Sequence, residues 1–106
     1  MTSGTKRQKE MRRQLRGLAP RAPFGDTESI LEIALSGHLR HLPPSIALWQ
    51  AVTTYVRHEM TGYDRLLEDG YDRDAARFFV IEDMNDVLDD WGCCRRVESE
   101  EESNIA

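Results

Sequence analysis

PSIALWQAVTTYVRHEM, residues 44–60, sets Leu48, Val52, Tyr55, Val56 and Glu59 at spacings that return to one side of an α-helix. Trp49 and Met60 widen that side. Pro44 and Ser45 are favourable opening residues, because proline's fixed φ suits the first helical turn and its missing N–H has no partner there in any case. No stretch of the chain alternates with the period of two that a half-buried strand requires. The segment predicts a helix over 44–60, and its neighbours extend the same pattern.

Upstream, FGDTESILEIALSGHLRHLPPS predicts a helix over 26–37. Asp26 takes the N-cap position, Glu28 the first turn, and Leu31, Ala34, Leu35 and His38 one face. Gly37 and the Pro43-Pro44 pair end it. Downstream, Thr61 opens a short helix over 62–69 as a capping box with Asp64 in the reciprocal role, Leu66 and Leu67 supply its apolar side, and Gly70 stops it. Asp72 caps a fourth helix over 73–91, with Tyr71 and Ala76 spaced as a hydrophobic staple. Ala76, Phe79 or Val80, Met84, Val87, Leu88 and Trp91 form its stripe, and Gly92 closes it. The expected fold is therefore all-α: a small compact domain of about four helices over residues 24–92.

Charge divides the chain further. Residues 1–23 carry seven basic side chains against Glu10 alone, residues 24–92 five against fourteen carboxylates, and residues 93–106 two against four, within an overall net charge of -5. The expectation is a basic flexible arm over 1–23 and an acidic disordered tail over 93–106. Cys93 and Cys94 are adjacent, which suits neither an ordinary disulfide nor a C-x-x-C metal site, so reduced thiols and a cytoplasmic location are expected. There is no apolar run long enough for a membrane span, and no apolar segment behind the basic start that would make it a secretory signal.

The string RHEMTGYDRLLEDGYDRDAAR, residues 57–77, followed by VLDDW, residues 87–91, carries the motif R-H-x-x-T-x-Y-D-x-L-L-x-x-G, then R-x-x-A-R and V-L-x-x-W. On Arg57, His58, Thr61, Tyr63, Asp64, Leu66, Leu67, Gly70, Arg73, Ala76, Arg77, Val87, Leu88 and Trp91, the chain resembles the bacterial and fungal family called domain of unknown function 2293, over about residues 50–92. The resemblance implies no activity, cofactor or substrate. Longer members carry a cysteine-rich segment and strongly basic helices upstream of the motif. Only a basic arm is present here.

The polar residues of the motif have two readings. In one, Arg57 and His58 complement the negative end of the 44–60 helix while Thr61 and Asp64 cap the next. In the other, Arg57, His58, Tyr63, Asp64, Arg73 and Arg77 form a shared site for an anion or a partner, since guanidinium forks and a helix N-terminus favour the same ligand. An enzymatic version makes His58 and Asp64 an acid/base pair. His38 and His41, three apart, are expected to be exposed helix-end residues, and the acids Glu82, Asp83, Asp86, Asp89 and Asp90 the wet face of the fourth helix. No metal, cofactor or catalytic residue is assigned.

These features point to a non-catalytic protein-interaction or regulatory module, self-associating through apolar residues that so small a core leaves uncovered, with Trp49 and Phe78 as candidates. The alternative is an accessory nucleic-acid-binding protein that uses Lys6, Arg7, Lys9, Arg12, Arg13 and Arg16 of the arm together with Arg57, Arg73 and Arg77. A small enzyme built on His58 and Asp64 is the third.

Overall fold

The computed structural model describes residues 5–98. Among them are five α-helices: α1 (Lys6–Leu18), α2 (Phe24–Ala34), α3 (Pro44–Met60), α4 (Tyr63–Glu68) and α5 (Arg73–Asp90), with a single 3-10 turn, Gly37–His41, between α2 and α3. The fold is all-helical, as expected, and α3 runs through its centre. Ala47, Leu48, Ala51, Val52 and Val56 are all buried. Every other helix and the 3-10 turn packs on α3, whereas α1 and α5 do not pack on each other.

The largest departure from the sequence expectation is at the N-terminus. Residues 6–18 are not a flexible arm but a helix whose apolar side joins the core. Met11 and Leu15 are fully buried, and Ala19 beyond the helix end is buried with them. The helix starts at a capping box, in which Thr5 Oγ1 accepts from the Gln8 N–H at 3.1 Å and Gln8 Oε1 accepts from the Thr5 N–H at 2.9 Å. Two arginines of the expected arm, one on the helix and one beyond it, act as structural caps or ties. The Arg7 guanidinium donates to the Leu42 and Leu39 carbonyls at the end of the 3-10 turn. Arg21 donates from Nη2 to the Asp89 carbonyl at 3.1 Å and from Nε to the Asp90 carbonyl at 3.2 Å, placing a cation at the negative end of α5.

Smaller corrections have local causes. The first predicted helix lies two residues earlier, at Phe24–Ala34, with Pro23 as N-cap. Asp26 is therefore in the first turn, where it accepts a short hydrogen bond from the Tyr55 hydroxyl of α3 instead of capping. His38 leaves the helix face and sits exposed on the 3-10 turn with His41. Thr61 does not form a box with Asp64: its hydroxyl donates to the Arg57 carbonyl and accepts from the Tyr63 N–H. On α5, Val80 is the buried choice and Phe79 the exposed one. Asp72 caps α5 as expected, its Oδ1 accepting from the Ala75 N–H at 2.8 Å.

Both α4 and α5 end in the same way. Gly70 and Gly92 adopt φ of 103° and 78°. Tyr71 N–H reaches the Leu66 carbonyl and Gly70 N–H the Leu67 carbonyl, and Cys93 and Gly92 repeat the pair on Leu88 and Asp89. These are Schellman closures, which need a left-handed residue that glycine adopts without strain. After the second, the chain stays on the protein as far as Glu98. The Asn85 side chain pairs with both backbone groups of Val97, at 2.7 and 3.1 Å, Val97 packs on the core, and Cys93 is buried, which pushes its thiol pKa up. The expected disordered tail thus does not begin at residue 93; residues 99–106 lie outside the described residues.

Two expectations test this architecture. Leu15→Ala should cost about 2–5 kcal/mol in urea unfolding, the range for a fully buried leucine, where a flexible arm would show no change. Tyr55→Phe should cost about 1 kcal/mol by removing the α3–α2 tie. The hydrogen bond to Asp26 raises the Tyr55 pKa above its ordinary 10.0, so the tie's contribution is complete below pH 10 and fades as pH rises through the raised value. The difference between wild type and Tyr55→Phe should accordingly shrink in strongly alkaline solution, read as unfolding midpoints at a series of pH values.

Candidate functional site

The family motif folds into the joint between α3 and α4. His58, in the last turn of α3, and Asp64, in the first turn of α4, are joined by a contact of 2.7 Å between Nδ1 and Oδ1. Tyr63 lies under them, 3% exposed, with its ring edge-on to the His58 imidazole at 5.1 Å and 87°. The Arg57 guanidinium stands over the same ring at 5.8 Å. The buried tyrosine is therefore a shelf on which an arginine and a histidine rest, and the aspartate steadies the histidine. The arrangement follows from the sharp turn at Thr61-Gly62, which folds α4 back against the end of α3.

Chemically, an imidazole hydrogen-bonded to a carboxylate is an oriented imidazole, the second half of an acid/base arrangement. It is also a clasp across a helix joint. Both side chains are largely open to solvent, at 40% and 60% exposure. The four residues linked by these contacts come from α3 and α4. Arg73 is exposed on the first turn of α5, and Arg77 is half-buried one turn later.

Other features were not visible in the sequence. The outer side of α3 and the segment after α5 enclose an open hollow of about 530 Å³ lined by Trp49, Thr53, Arg57, Arg95, Arg96 and Val97. The Arg95 guanidinium lies over the Trp49 ring at 4.0 Å, so Trp49 is half-covered from within the chain. Arg96 bridges to Asp89 at 2.9 Å. On α4, α5 and the turn between them, Leu67, Tyr71, Phe78 and Phe79 all remain exposed. Tyr71 meets Phe79 edge-on at 5.5 Å, and Phe78 meets Phe79 at 6.0 Å, so three rings form one ledge. Beside it, a second hollow of about 660 Å³ is lined by Phe78, Phe79, Ile81, Asn85 and Val97 among others.

The basic residues of α1 divide by face. Arg7 points inward to its carbonyls, whereas Lys6, Lys9, Arg12, Arg13 and Arg16 are exposed. Arg12 bridges to Glu28 at 2.6 Å. Arg13 bridges to Glu10, and with Gln14 as a second donor it lowers the Glu10 pKa to about 2. Among the described residues no group of three or more His, Cys, Asp or Glu side chains is arranged to hold a metal, and no helix is long and apolar enough to cross a membrane.

No curated protein and no solved structure matches the chain. A family profile does, over residues 14–92, from the second half of α1 to the glycine that closes α5. That span takes in α2 and α3 as well as the motif at the α3–α4 joint, and on it the chain belongs to the family described as an uncharacterized conserved protein, DUF2293.

Proposed function

We propose that this chain is a non-catalytic protein-interaction module that associates with a second copy of itself through the aromatic ledge on α5 and the turn before it. The observation that carries this is the exposure of Phe78 (64%), Phe79 (55%) and Tyr71 (47%) side by side. Isolated apolar residues on a surface are ordinary, but contiguous rings in mutual contact are the composition of an interface core. Covering one phenylalanine fully is worth roughly 1.5–3 kcal/mol, so three adjoining rings supply a driving force that scattered residues do not. Arg96, Glu82 and Glu98 border the neighbouring hollow and give it a polar rim. The His58–Asp64 pair serves this module as the clasp that fixes α4, and with it Leu67 and Tyr71, relative to α3.

Sedimentation equilibrium across a concentration series tests the proposal. The wild-type mass should rise above that of one chain as concentration increases, and Phe78→Ser with Phe79→Ser should return it to a monomer with unchanged helical content. A wild type that stays monomeric throughout, or a double variant that associates as well as the wild type, would overturn it.

A further inference from the structure

The outer face of α1 and the start of α2 present a combination that the amino-acid sequence keeps apart. With 100° per residue, Lys6, Lys9, Arg12, Arg13 and Arg16 fall within one third of the helix circumference, opposite Met11, Leu15 and Leu18. The apolar side is used up in the core, so the cationic side is fixed outward as a rigid ridge. From Lys6 to Arg16 it runs about 15 Å. Lys6, Lys9 and Arg16 have no ion-pair or hydrogen-bond partner among the described residues, while Arg12 and Arg13 each share a carboxylate.

At the C-terminal end of this ridge lies an aromatic ring. Phe24, the first residue of α2, is 77% exposed, the most exposed large apolar side chain among the described residues. It borders a hollow of about 280 Å³ with Arg12, Arg16, Pro20, Thr27 and Glu28. Glu28, the one acid there, is already held by Arg12. A flat ring beside the Arg16 guanidinium, with the Lys9 and Lys6 ammonium groups further along the same ridge, is the pairing that single-stranded nucleic acid requires: the ring takes a base face and the cations take the phosphates. The carboxylate-rich surface of α5 is on a helix that does not pack against α1.

From this face we infer a binding site for single-stranded nucleic acid, in which a base stacks on Phe24 and the adjoining phosphates are neutralised by Arg16, Lys9 and Lys6. An acidic polypeptide would satisfy the cations but has no use for the ring. A duplex keeps its bases stacked on one another and would engage the ridge alone. The site is independent of the aromatic ledge on α5 and the turn before it.

Fluorescence anisotropy with labelled oligo-dT, a duplex of equal length and poly-glutamate as competitor tests this on the full chain. Oligo-dT should bind, with log affinity falling against log salt at a slope of about -2 for three phosphates contacted on a single strand. Lys9→Glu with Arg16→Glu should abolish binding and its salt dependence. Phe24→Ala should weaken oligo-dT about tenfold, within the range for one lost stacking contact, while leaving duplex binding unchanged. All three side chains are exposed, and thermal melts of the variants confirm that the fold is intact. Absence of oligo-dT binding at low salt, indifference of that binding to Phe24→Ala, or displacement by poly-glutamate as effective as by unlabelled oligo-dT would each overturn the inference.

Discussion

The width of the apolar arc on α3 is the constraint on which the rest of the structure depends. Ala47, Leu48, Ala51, Val52 and Val56 are all fully or nearly fully buried, and at 100° per residue they spread over about 180° of the helix. One neighbouring helix covers only part of such an arc. In a chain this short the cover has to come from everywhere: α2 and the 3-10 turn on one flank, α5 and the short α4 on another, and α1 on what remains. The two alanines let neighbours approach closely, and the larger Leu48, Val52 and Val56 fill the spaces between them. Recruitment of α1 is thus a requirement of α3 and not an accident of the N-terminus.

That requirement explains which parts of the fold were legible in the sequence. Helices α3 and α5 were, because in each a periodic apolar stripe agrees with its end signals: a proline at the start of α3, and an aspartate before and a glycine after α5. Helix α1 was not, because seven basic residues against one acid over residues 1–23 resemble a solvated arm. The contrary signals were present: T-x-x-Q over Thr5–Gln8, and Met11, Leu15 and Leu18 at intervals of four and three. Composition describes the average environment of a segment, whereas burial depends on one face of it. The same distinction separates Val80 from Phe79, which are equally apolar and adjacent, so only the position of α3 decides which turns inward.

The site was legible in part, for a related reason. Sequence spacing brought His58, Tyr63 and Asp64 into one joint because they are six residues apart or fewer. The roles within it were not legible, since Asp64 had two partners within reach, the backbone donors of its own helix and the imidazole across the turn, and geometry selects the imidazole. Long-range ties had no local signature at all. Arg7 reaches Leu42, Arg21 reaches Asp89 and Asp90, Tyr55 reaches Asp26, and Asn85 reaches Val97. All but the Tyr55–Asp26 pair, which joins two side chains, supply a donor or acceptor to a backbone group that a helix end or an irregular segment leaves without one. These polar residues therefore contribute to holding five short elements in register around α3.

Segregation of charge follows from the same arrangement. With Arg7 turned to the 3-10 turn and Arg21, beyond the helix, tied to the end of α5, the other cations of α1 form one outward ridge, and Glu82, Asp83, Asp86, Asp89 and Asp90 remain outside on α5. Because both helices pack on α3 and not on each other, the opposite charges are held apart instead of neutralising one another. At physiological ionic strength, charges are screened over about 8 Å, so each face presents its own sign to whatever approaches it. A flexible basic arm would have been free to fold onto the acidic surface. The burial of Met11 and Leu15 removes that freedom, and it is the apolar side of α1 that keeps its cationic side available.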